Sequence, residues 1–571
     1  MVDKRALRWE VMDAGGWEYL LPRTARRRWL CLDTSRGATA LILAGLCDEL
    51  HVKPVSREAG AEIALKLRAE GTDNVWLASD GAFAETARDG GAFDGFILHD
   101  LLGLLDRRAV EEALRAGARR VGPGGFVYAA LRNRYGYTRL RRGWSGLRPS
   151  QGGAYFSARA VRRLVGGGRR TVLYPLITTE DGRVAEMVPP AGYVSAKNPS
   201  VVNETLRRWL LGRDGARRWS PAFALVAKGA PEAPSGLECA LETLYTHGLL
   251  GSRVAPGTLV KRYHVLTGGK AIVSVGETRA KYGSHIVVLV HSPEFVARRR
   301  YEAELLSRLA ELPADLASRI PRFCYEDEAG GAHVFVLQEF PGVTLDAPVP
   351  GLRAATRDAA HFIQRFHLAT RQATRRTPAR FEPVCGSILE TARSRYPALA
   401  GVLERLGAAL QRDLGRAECP VVWMHGDFKI ENVVVEERSF RLLGVIDWEL
   451  SVPEGLPLLD LWYLLLYNRM IERGVDFLTV VRDLLPPQRW AGEDAALCAE
   501  YMRALDIPEE LVPALAGALI LDHAARRMDM DPNDAQEMGK LRALLEDVVE
   551  WTADTRGSSP AGGLSAPVRH G

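Results

Sequence analysis

The chain has 571 residues, of which 47% are hydrophobic and 25% charged, and its formal net charge is only +5. One domain usually takes about 100–200 residues, so this composition predicts a folded protein with two or three domains. The charge is nearly balanced and no stretch interleaves basic with aromatic residues, which argues against a nucleic-acid-binding protein.

The seven cysteines are scattered and form no C-x-x-C pair. This pattern argues against a disulfide framework or a structural zinc site and favours a reducing compartment. The N-terminus lacks the apolar core of a signal peptide, and the longest apolar runs, such as Leu458–Tyr467, are far shorter than the ~20 residues that span a bilayer. We therefore expect a soluble cytoplasmic protein with no membrane partner; the oligomeric state is left open.

Strand-like and helix-like segments alternate through the N-terminal part of the chain. The strand R-W-L-C-L-D-T is followed by the helical A-T-A-L-I-L-A-G, and the strands E-L-H-V-K-P-V, N-V-W-L-A-S-D, F-D-G-F-I-L-H-D and F-V-Y-A-A-L come later with helical segments between them. This order predicts a mostly parallel sheet with helices on both faces. Ligands of such sheets bind at the carboxyl ends of the strands.

Three parts of this region resemble the class I S-adenosylmethionine-dependent methyltransferases. They are L-C-L-D-T-S-R-G with Asp33 and Gly37, the strand F-D-G-F-I-L-H-D-L-L, and the turn G-P-G-G before F-V-Y-A-A-L. The resemblance implies an α/β Rossmann-like domain over residues 1–228, with Asp33, Gly37 and Asp80 at its cofactor site.

The region also departs from the methyltransferase pattern. The three places where the first motif has glycine read Ser35, Gly37 and Thr39, and the second strand ends in Lys53-Pro54 instead of a carboxylate for the ribose hydroxyls. These departures favour a domain without methyltransferase activity, and binding of S-adenosylmethionine stays open.

A Pro- and Gly-rich stretch, A-K-G-A-P-E-A-P-S-G, predicts a boundary after this domain. We expect a linker over residues 229–255 and a second domain over residues 256–552, in which a short β-rich region precedes long helices. Residues 553–571 are polar and rich in Gly and Pro, so a disordered tail is expected.

The stretch M-H-G-D-F-K-I-E-N-V-V, followed by G-V-I-D-W-E, contains the residue types that phosphoryl transfer requires. Such an enzyme needs an aspartate that accepts the proton of the attacking hydroxyl, and oxygen ligands that hold Mg²⁺ against the phosphates. Asp427 suits the first role, and Asn432 with Asp447 suits the second. Each part alone is a common turn sequence, but the combined spacing is specific.

These motifs resemble those of the aminoglycoside phosphotransferase and choline kinase-like family. The resemblance covers roughly Pro256–Trp551 and implies a two-lobed α+β domain of the protein-kinase type. It implies that His425, Asp427 and Lys429 belong to the catalytic loop, that Asn432 and Asp447 bind Mg²⁺, and that the cofactor is ATP or GTP. Asp460, in P-L-L-D-L-W-Y, matches a carboxylate that the family uses as a structural brace.

The resemblance also implies nucleotide-binding residues. Q-E-F-P-G-V-T-L, with Gln338, Glu339 and Phe340, resembles the hinge whose backbone meets adenine. Glu302, in R-Y-E-A-E-L-L, resembles the helix carboxylate that pairs with a phosphate-binding lysine.

That lysine is where the chain departs from the family. The strand before the helix reads H-I-V-V-L-V-H-S-P, with Leu289 at the expected position, and V-G-E-T-R-A-K-Y-G-S is not a glycine-rich phosphate loop. Lys429 in the catalytic loop, or Lys281 or Lys270 from a neighbouring segment, could supply the charge instead. Alternatively nucleotide binding is lost and the domain is a pseudokinase. The complete set of Asp427, Asn432 and Asp447 favours activity.

The acceptor is expected to be a hydroxyl group of a small molecule, such as a sugar, an amino-sugar or an amino alcohol. The A-P-E segment with which protein kinases hold peptides is absent, although Ser or Thr in a biosynthetic peptide stays an alternative. A late acidic stretch with Asp522, Asp529, Asp531 and Asp534 is consistent with a cationic substrate, but a solvated helix end is the preferred interpretation.

The leading hypothesis is thus an ATP- and Mg²⁺-dependent phosphotransferase behind a degenerate methyltransferase-like domain. A scaffold with two inactive domains is the second hypothesis, and a bifunctional methyltransferase-kinase is the third.

Overall fold

The computed structural model describes two compact units, residues 1–301 with 322–341 (the first unit) and residues 302–321 with 342–571 (the second unit). The described residues are 15–23, 27–78, 92–133, 154–165, 169–178, 184–187, 220, 222–229, 234–250, 260–266, 270–276, 280, 282–371, 378–415, 418–485, 490–526 and 535–554.

The described part of the first unit forms a 13-stranded sheet. Its strands are β1 Arg28–Asp33, β2 Glu49–Pro54, β3 Val75–Leu77, β4 Phe93–Asp100, β5 Val121–Arg132, β6 Arg170–Thr178, β7 Val184–Met187, β8 Ala222–Lys228, β9 Val260–Leu266, β10 Lys270–Val275, β11 His285–Val290, β12 Phe323–Ala329 and β13 Ala332–Gln338. Its helices are α1 Ala38–Ala44, α2 Arg57–Glu70, α3 Arg107–Arg120, α4 Ala158–Val165 and α5 Gly236–Thr246, and α6 Pro293–Leu309 begins here and ends in the second unit.

The N-terminal part of this sheet is parallel. Strands β3-β2-β1-β4-β5 lie side by side in that order and run in the same direction, and β8 and β6 follow with β8 antiparallel to both neighbours. The predicted parallel sheet is therefore present, with the strand order of doubly wound α/β folds. The methyltransferase-like identity of this part stays a prediction.

Side chains of the buried strands point alternately to the two faces of the sheet and contribute to two separate hydrophobic cores. In β1, Trp29 and Cys31 lie in the core that α1 and α2 cover, whereas Leu30 and Leu32 lie in the core that α3 and α4 cover. Both faces of the strand are apolar because both faces of a parallel sheet are covered by helices.

The sheet does not stop at the end of the predicted N-terminal domain. Strand β7 pairs antiparallel with β9 through Glu186 opposite His264 and Met187 opposite Tyr263, and the order continues β9-β10-β11-β13-β12. One apolar core runs from β1 to β11 and β13. The two predicted domains thus share a sheet and a core within the first unit.

The stretch predicted as a linker, residues 229–255, contains helix α5. Ser235 caps this helix through the main-chain N–H of Glu238, while the Glu238 carboxylate accepts from the Ser235 N–H. Leu237, Leu241 and Leu244 of the helix are buried in the shared core. The Pro/Gly-rich sequence before the helix therefore marks a helix start and not a free connection.

The N-terminal segment at residues 15–23 packs onto both parts of the sheet. The Trp17 ring stacks on Tyr128 of β5 at 5.0 Å, and the Tyr19 hydroxyl donates to the main-chain oxygen of Leu289 in β11 at 3.1 Å. Tyr263 of β9 donates to the Gly16 oxygen at 2.7 Å. The segment therefore ties the parallel strands to the antiparallel ones.

We expect Tyr19→Phe to lower the free energy of unfolding by about 1 kcal/mol, because it removes one buried hydrogen bond at nearly constant volume. Chemical denaturation monitored by tryptophan fluorescence measures this change, with the exposed Tyr301→Phe as the matched control. Equal stability of Tyr19→Phe and the wild type would show that the segment does not stabilise the sheet through this contact.

The described part of the second unit is mainly helical, as predicted for the part of the chain after the short β-rich region. Its helices are α7 Ala314–Ala317, α8 Leu352–Thr370, α9 Pro378–Arg395, α10 Ala400–Leu414, α11 Leu459–Arg473, α12 Phe477–Leu484, α13 Gly492–Leu505, α14 Val512–Arg526 and α15 Ala535–Asp554. Its strands form two antiparallel pairs, β14 Val422–Met424 with β17 Val452–Gly455 and β15 Val433–Val435 with β16 Leu442–Val445. Of the helices within the described ranges, none is both long and apolar enough to cross a membrane.

Candidate active site

The H-G-D motif occupies the loop between β14 and β15 in the second unit. Gly426 has a φ of +83°, and a Cβ atom on it would lie 2.1 Å from the Leu450 oxygen. Only glycine fits this turn, because other residues lack both the space and an easy route to a left-handed backbone. The turn directs the chain so that Asp427 follows it directly.

The carboxylate of Asp460 holds this turn from the first turn of α11. Its two oxygens accept from the main-chain N–H groups of His425, at 2.7 Å, and Gly426, at 3.0 Å. Asp460 is fully buried. This geometry is that of a structural brace, the role that the sequence resemblance implied.

A buried histidine that sequence reasoning missed completes the brace. The Nε2 atom of His367, in α8, lies 3.2 Å from the Asp460 carboxylate, and its Nδ1 contacts the hydroxyl of Tyr501. Burial acts to raise the pKa of Asp460, but the hydrogen bonds and charges of His367 and His425 outweigh it and lower the pKa. A single histidine on an amphipathic helix gives no sequence signal of this kind.

His425 lies inside the loop rather than facing solvent. Its Nε2 donates to the Ile446 oxygen at 3.0 Å, and its Nδ1 accepts from the Asp427 N–H at 3.3 Å. Burial lowers the pKa of this imidazole, although Asp460 acts in the opposite direction. His425, which the resemblance placed among the catalytic residues, therefore has the contacts of a positioning residue that joins the Asp427 loop to the Asp447 loop.

Asp427 is oriented by Asn432 and Lys429. The Asn432 amide nitrogen donates to the main-chain oxygen of Asp427 at 2.8 Å and to its carboxylate at 2.9 Å, and the Lys429 ammonium lies 3.1 Å from the same carboxylate oxygen. Burial raises the pKa of the Asp427 carboxyl, and Lys429 and Asn432 only partly offset this effect. A carboxylate with a raised pKa and a partly exposed side chain suits proton transfer.

Lys429 stands beside Asp427 with its ammonium 5.5 Å from the centre of the Tyr467 ring. Burial acts to lower the pKa of Lys429, but the charges of Asp427, Tyr467 and Glu431 outweigh it and raise the pKa. The ammonium is thus held protonated next to Asp427.

Asp447 lies in a left-handed backbone conformation, with a φ of +66°. Both neighbouring peptide units are fixed: the Ile446 oxygen accepts from His425, and the Trp448 N–H donates to the carboxylate of Glu302 at 3.0 Å. A non-glycine residue at positive φ is often found at functional sites. Glu302, predicted to pair with a lysine, here anchors the loop that carries Asp447.

The donor set fits Mg²⁺. Both contacts of the Asn432 amide nitrogen go to Asp427, so the amide oxygen is the atom left for a metal, and Asp447 adds a carboxylate. One amide and one carboxylate, completed by phosphate oxygens and water, are ligands that Mg²⁺ accepts. Within the described ranges there is no cluster of three or more His, Cys, Asp or Glu that would bind a metal without such help.

The residues of the first unit that were predicted to bind nucleotide, Gln338, Glu339 and Phe340, differ from one another in burial and in their contacts. The Glu339 carboxylate is buried and contacts Arg262 and the Ser274 hydroxyl, and burial raises its pKa although Arg262 opposes this. Gln338 is exposed and Phe340 is buried. The Glu339 side chain is thus engaged in contacts with β9 and β10 of the same sheet. Any contact of this segment with adenine would use the backbone.

Asp33, predicted to lie at a methyltransferase-like cofactor site, accepts hydrogen bonds from the turn that follows β1. The Asp33 carboxylate accepts from the N–H groups of Ser35, Gly37 and Ala40 at 2.6, 3.3 and 3.0 Å. Gly37 has a φ of +110° at the start of α1. Asp33 therefore shapes the first strand–helix turn, and Asp80 lies outside the described residues.

Asp522 of the late acidic stretch is not at a solvated helix end. It is only 2% exposed, and one of its oxygens lies 2.7 Å from the guanidinium of Arg526, which also donates to the Leu450 oxygen. The interpretation preferred from the sequence is therefore wrong for Asp522. Asp529, Asp531 and Asp534 lie outside the described residues.

Curated relatives are matched over a short part of their length. Mouse (Mus musculus) acyl-CoA dehydrogenase family member 11 is 27% identical over 169 residues, which is 27% of this chain and 22% of the mouse protein. The chain thus spans about a fifth of the length of the relatives that it matches.

Among solved structures, similarity extends over about half of the chain. The aminoglycoside phosphotransferase APH(3'')-Id from Streptomyces rimosus is 17% identical, covering 50% of this chain and 92% of that one with a TM-score of 0.30. ADP-bound APH(2'')-Ib is 12% identical, covering 55% and 98% with a TM-score of 0.36. The model of the phosphotransferase enzyme family (APH) matches residues 252–528. The C-terminal half of the chain, which carries the H-G-D loop and Asp447, thus matches the APH phosphotransferase family.

Proposed function

We propose that this protein is an ATP- and Mg²⁺-dependent phosphotransferase that acts on a hydroxyl group of a small molecule. The observation that supports this proposal best is the orientation of the Asp427 carboxylate together with its pKa. Its carboxylate is oriented by Asn432 and Lys429 and has a raised pKa. The Asp427 side chain is also partly exposed, so that an acceptor hydroxyl has access to it.

Each polar residue of the site is proposed to have a separate role in the reaction. Asp427 orients the acceptor hydroxyl and takes its proton as that oxygen bonds to the γ-phosphorus of ATP, while the bond from this phosphorus to the bridging oxygen breaks and ADP leaves. Lys429 keeps the Asp427 carboxylate ionised before that transfer. Asn432 and Asp447 would hold Mg²⁺, which neutralises phosphate charge when bound.

The acceptor is proposed to be a small molecule because the second unit leaves little chain for holding a peptide. Asp447 is followed closely by β17 and then by α11. Protein kinases insert a peptide-binding activation segment at this place. Ser or Thr in a peptide is therefore the less favoured acceptor.

The parallel part of the first unit is proposed to be structural. The Asp33 carboxylate at the end of β1 accepts hydrogen bonds from the turn that follows it. The hydrophobic core of this part continues into β11 and β13. A non-catalytic scaffold is the second candidate function for the whole chain, and it is favoured by the lack of any lysine in β11.

Mg-ATP binding separates the two candidates. A ligand at 100 times its dissociation constant stabilises a protein by about 2.7 kcal/mol, so Mg-ATP should raise the melting temperature of the wild type. We expect Asp447→Asn to lose most of this shift, because it removes the carboxylate proposed for the metal. Asp483→Asn, a change at an exposed carboxylate of the same unit, is the matched control and should keep the full shift.

If millimolar Mg-ATP leaves the melting temperature of the wild type unchanged, the scaffold is the better account. If the shift is present, ADP release over a panel of sugars, amino-sugars, amino alcohols and Ser/Thr peptides identifies the acceptor class.

A further inference from the structure

A cavity of about 610 Å³ lies in the first unit, where helix α5 covers strands β6 and β8. The end of β12 and the turn after it also contribute to its lining. Sites for small molecules usually have volumes of ~300–1,000 Å³. The described lining residues all belong to the first unit, whereas Asp427, Asn432 and Asp447 belong to the second. The cavity is therefore separate from the candidate active site.

Lys228, the last residue of β8, is a buried lysine with too few acceptors. It is 6% exposed, and within the described ranges its ammonium has one acceptor, the Glu238 carboxylate at 2.7 Å. An ammonium has three N–H donors, and buried donors are almost always satisfied. The remaining donors need further acceptors, and these can come from the cavity that Lys228 lines.

Arg170 adds a second positive charge on the strand side of the cavity. It stands directly opposite Lys228 in the antiparallel pairing of β6 with β8, so both side chains leave the same face of the sheet. Both residues line the cavity, and Arg170 is exposed whereas Lys228 is buried. Like charges directly opposite each other repel, so an anionic group bound beside both would be stabilised by both.

Helix α5 contributes two negative charges on the other side of the cavity. Glu238 and Glu242 both line it, and they lie on one face of the helix because they are four residues apart. Burial acts to raise the pKa of Glu238, but its hydrogen bonds with Lys228 and Ser235 outweigh it and lower the pKa. Glu242 is exposed. A carboxylate accepts several hydrogen bonds, so Glu242 can bind a ligand ammonium in addition to its contacts within the protein.

The charges of these lining residues balance, but they are separated. The strands carry the two positive charges and the helix carries the two negative ones. A ligand with a net charge would leave one charge unbalanced in a partly buried place, which is costly. A molecule with one anionic and one cationic end matches both sides. Val172, Cys239 and Ala329 add apolar surface to the lining, which suits a carbon chain between the two ends.

We propose that this cavity binds a small amino acid whose carboxylate and amino group lie at opposite ends of a carbon chain. The carboxylate accepts from Lys228 and Arg170, and the protonated amino group donates to Glu242. This binding site goes beyond the proposed phosphotransferase function and does not depend on it.

Alkylation of Cys239 gives a local readout of binding. Cys239 lines the cavity, whereas Cys324 of β12 is not one of the described lining residues. Both thiols are partly exposed, and burial raises the pKa of both. The rate of modification by iodoacetamide at alkaline pH is measured for each cysteine of the full chain by peptide mass spectrometry. The added probes are ε-aminocaproate, which carries both charges, and caproate and hexylamine, which carry one charge each.

We expect ε-aminocaproate to slow the modification of Cys239 and to leave that of Cys324 unchanged. Caproate and hexylamine have the same chain but only one charged end, so each should protect Cys239 much less at the same concentration.

Arg170→Gln should raise the ε-aminocaproate concentration needed for half protection about tenfold, because a hydrogen bond between two charged groups is lost. Arg170 is exposed, so this variant should fold as the wild type does. The double variant Lys228→Met/Glu238→Gln removes the buried pair together and should abolish the protection. Arg162→Gln changes an exposed arginine of α4 in the same unit and is the matched control, with unchanged protection.

Four results would overturn the proposal. Modification of Cys239 that is unaffected by ε-aminocaproate would remove the site, and equal slowing of Cys239 and Cys324 would show a general effect on the protein. Protection by caproate as strong as that by ε-aminocaproate would contradict the need for two charged ends. Arg170→Gln with the half-protection concentration of the wild type would remove Arg170 from the site.

Discussion

Replacing Asp427 by Asn is expected to lower the phosphotransferase rate by about 10²–10⁴-fold, the usual contribution of a positioned general base. The amide has nearly the same shape but cannot take the proton of the acceptor hydroxyl. Binding of Mg-ATP should persist, because the ligands proposed for the metal are Asn432 and Asp447. The measurements are the rate of ADP release with saturating acceptor and the Mg-ATP-induced shift in melting temperature.

The pH dependence provides a second check on Asp427. The base must be ionised to act, and burial raises its pKa, so the wild-type rate should fall as the pH is lowered through that raised value. The residual rate of Asp427→Asn should lack this acid limb. Asp483→Asn serves as the control with unchanged activity, and an Asp427→Asn protein with the wild-type rate and pH profile would rule out Asp427 as the base.

Replacing Asp460 by Ala is expected to lower the free energy of unfolding by about 3–5 kcal/mol, the cost of breaking a buried charged network. The change leaves the N–H groups of His425 and Gly426 without their acceptor, and it leaves His367 facing a cavity. Phosphotransferase activity should be lost as well, since the H-G-D turn is no longer held. Urea unfolding at neutral pH measures the stability.

The effect of Asp460 on stability should depend on pH in a defined direction. The pKa of this carboxyl is lowered in the folded protein, so its stabilising contribution is complete above the unfolded pKa of about 3.9 and is lost as the pH falls through the folded value. The difference in stability between the wild type and Asp460→Ala should therefore shrink in acid. A difference that is small at pH 7, or that grows in acid, would contradict the brace.

The parts of the site that lie close together in sequence could be predicted from the sequence. Asp427 and Asn432 are five residues apart in one loop, and their contact needs only the local turn that Gly426 permits. The parallel strands were also predictable, because strands buried on both faces read as short apolar runs separated by helical segments. In both cases the pattern is local, and local spacing determines the geometry.

Contacts between distant segments could not be predicted in the same way. Glu302 holds the Trp448 N–H across 146 positions, and His367 reaches Asp460 across 93. No periodicity within either segment indicates these partners, and a buried polar contact is chosen by the packing of helices and strands around it. The resemblance to a family suggested a lysine partner for Glu302, and the contact of Glu302 with the Trp448 N–H was not foreseen.

The sequence by itself thus determined the H-G-D turn with its contact between Asp427 and Asn432, and the parallel strands, because each depends on residue identity at short spacing. The tertiary structure decided which face of β11 carries Leu289, since a shift of one residue moves a side chain to the other face. It also decided that β7 pairs with β9 and that the predicted linker contains a helix. Both outcomes depend on the apolar surface that distant segments bury together, which no local pattern in the sequence specifies.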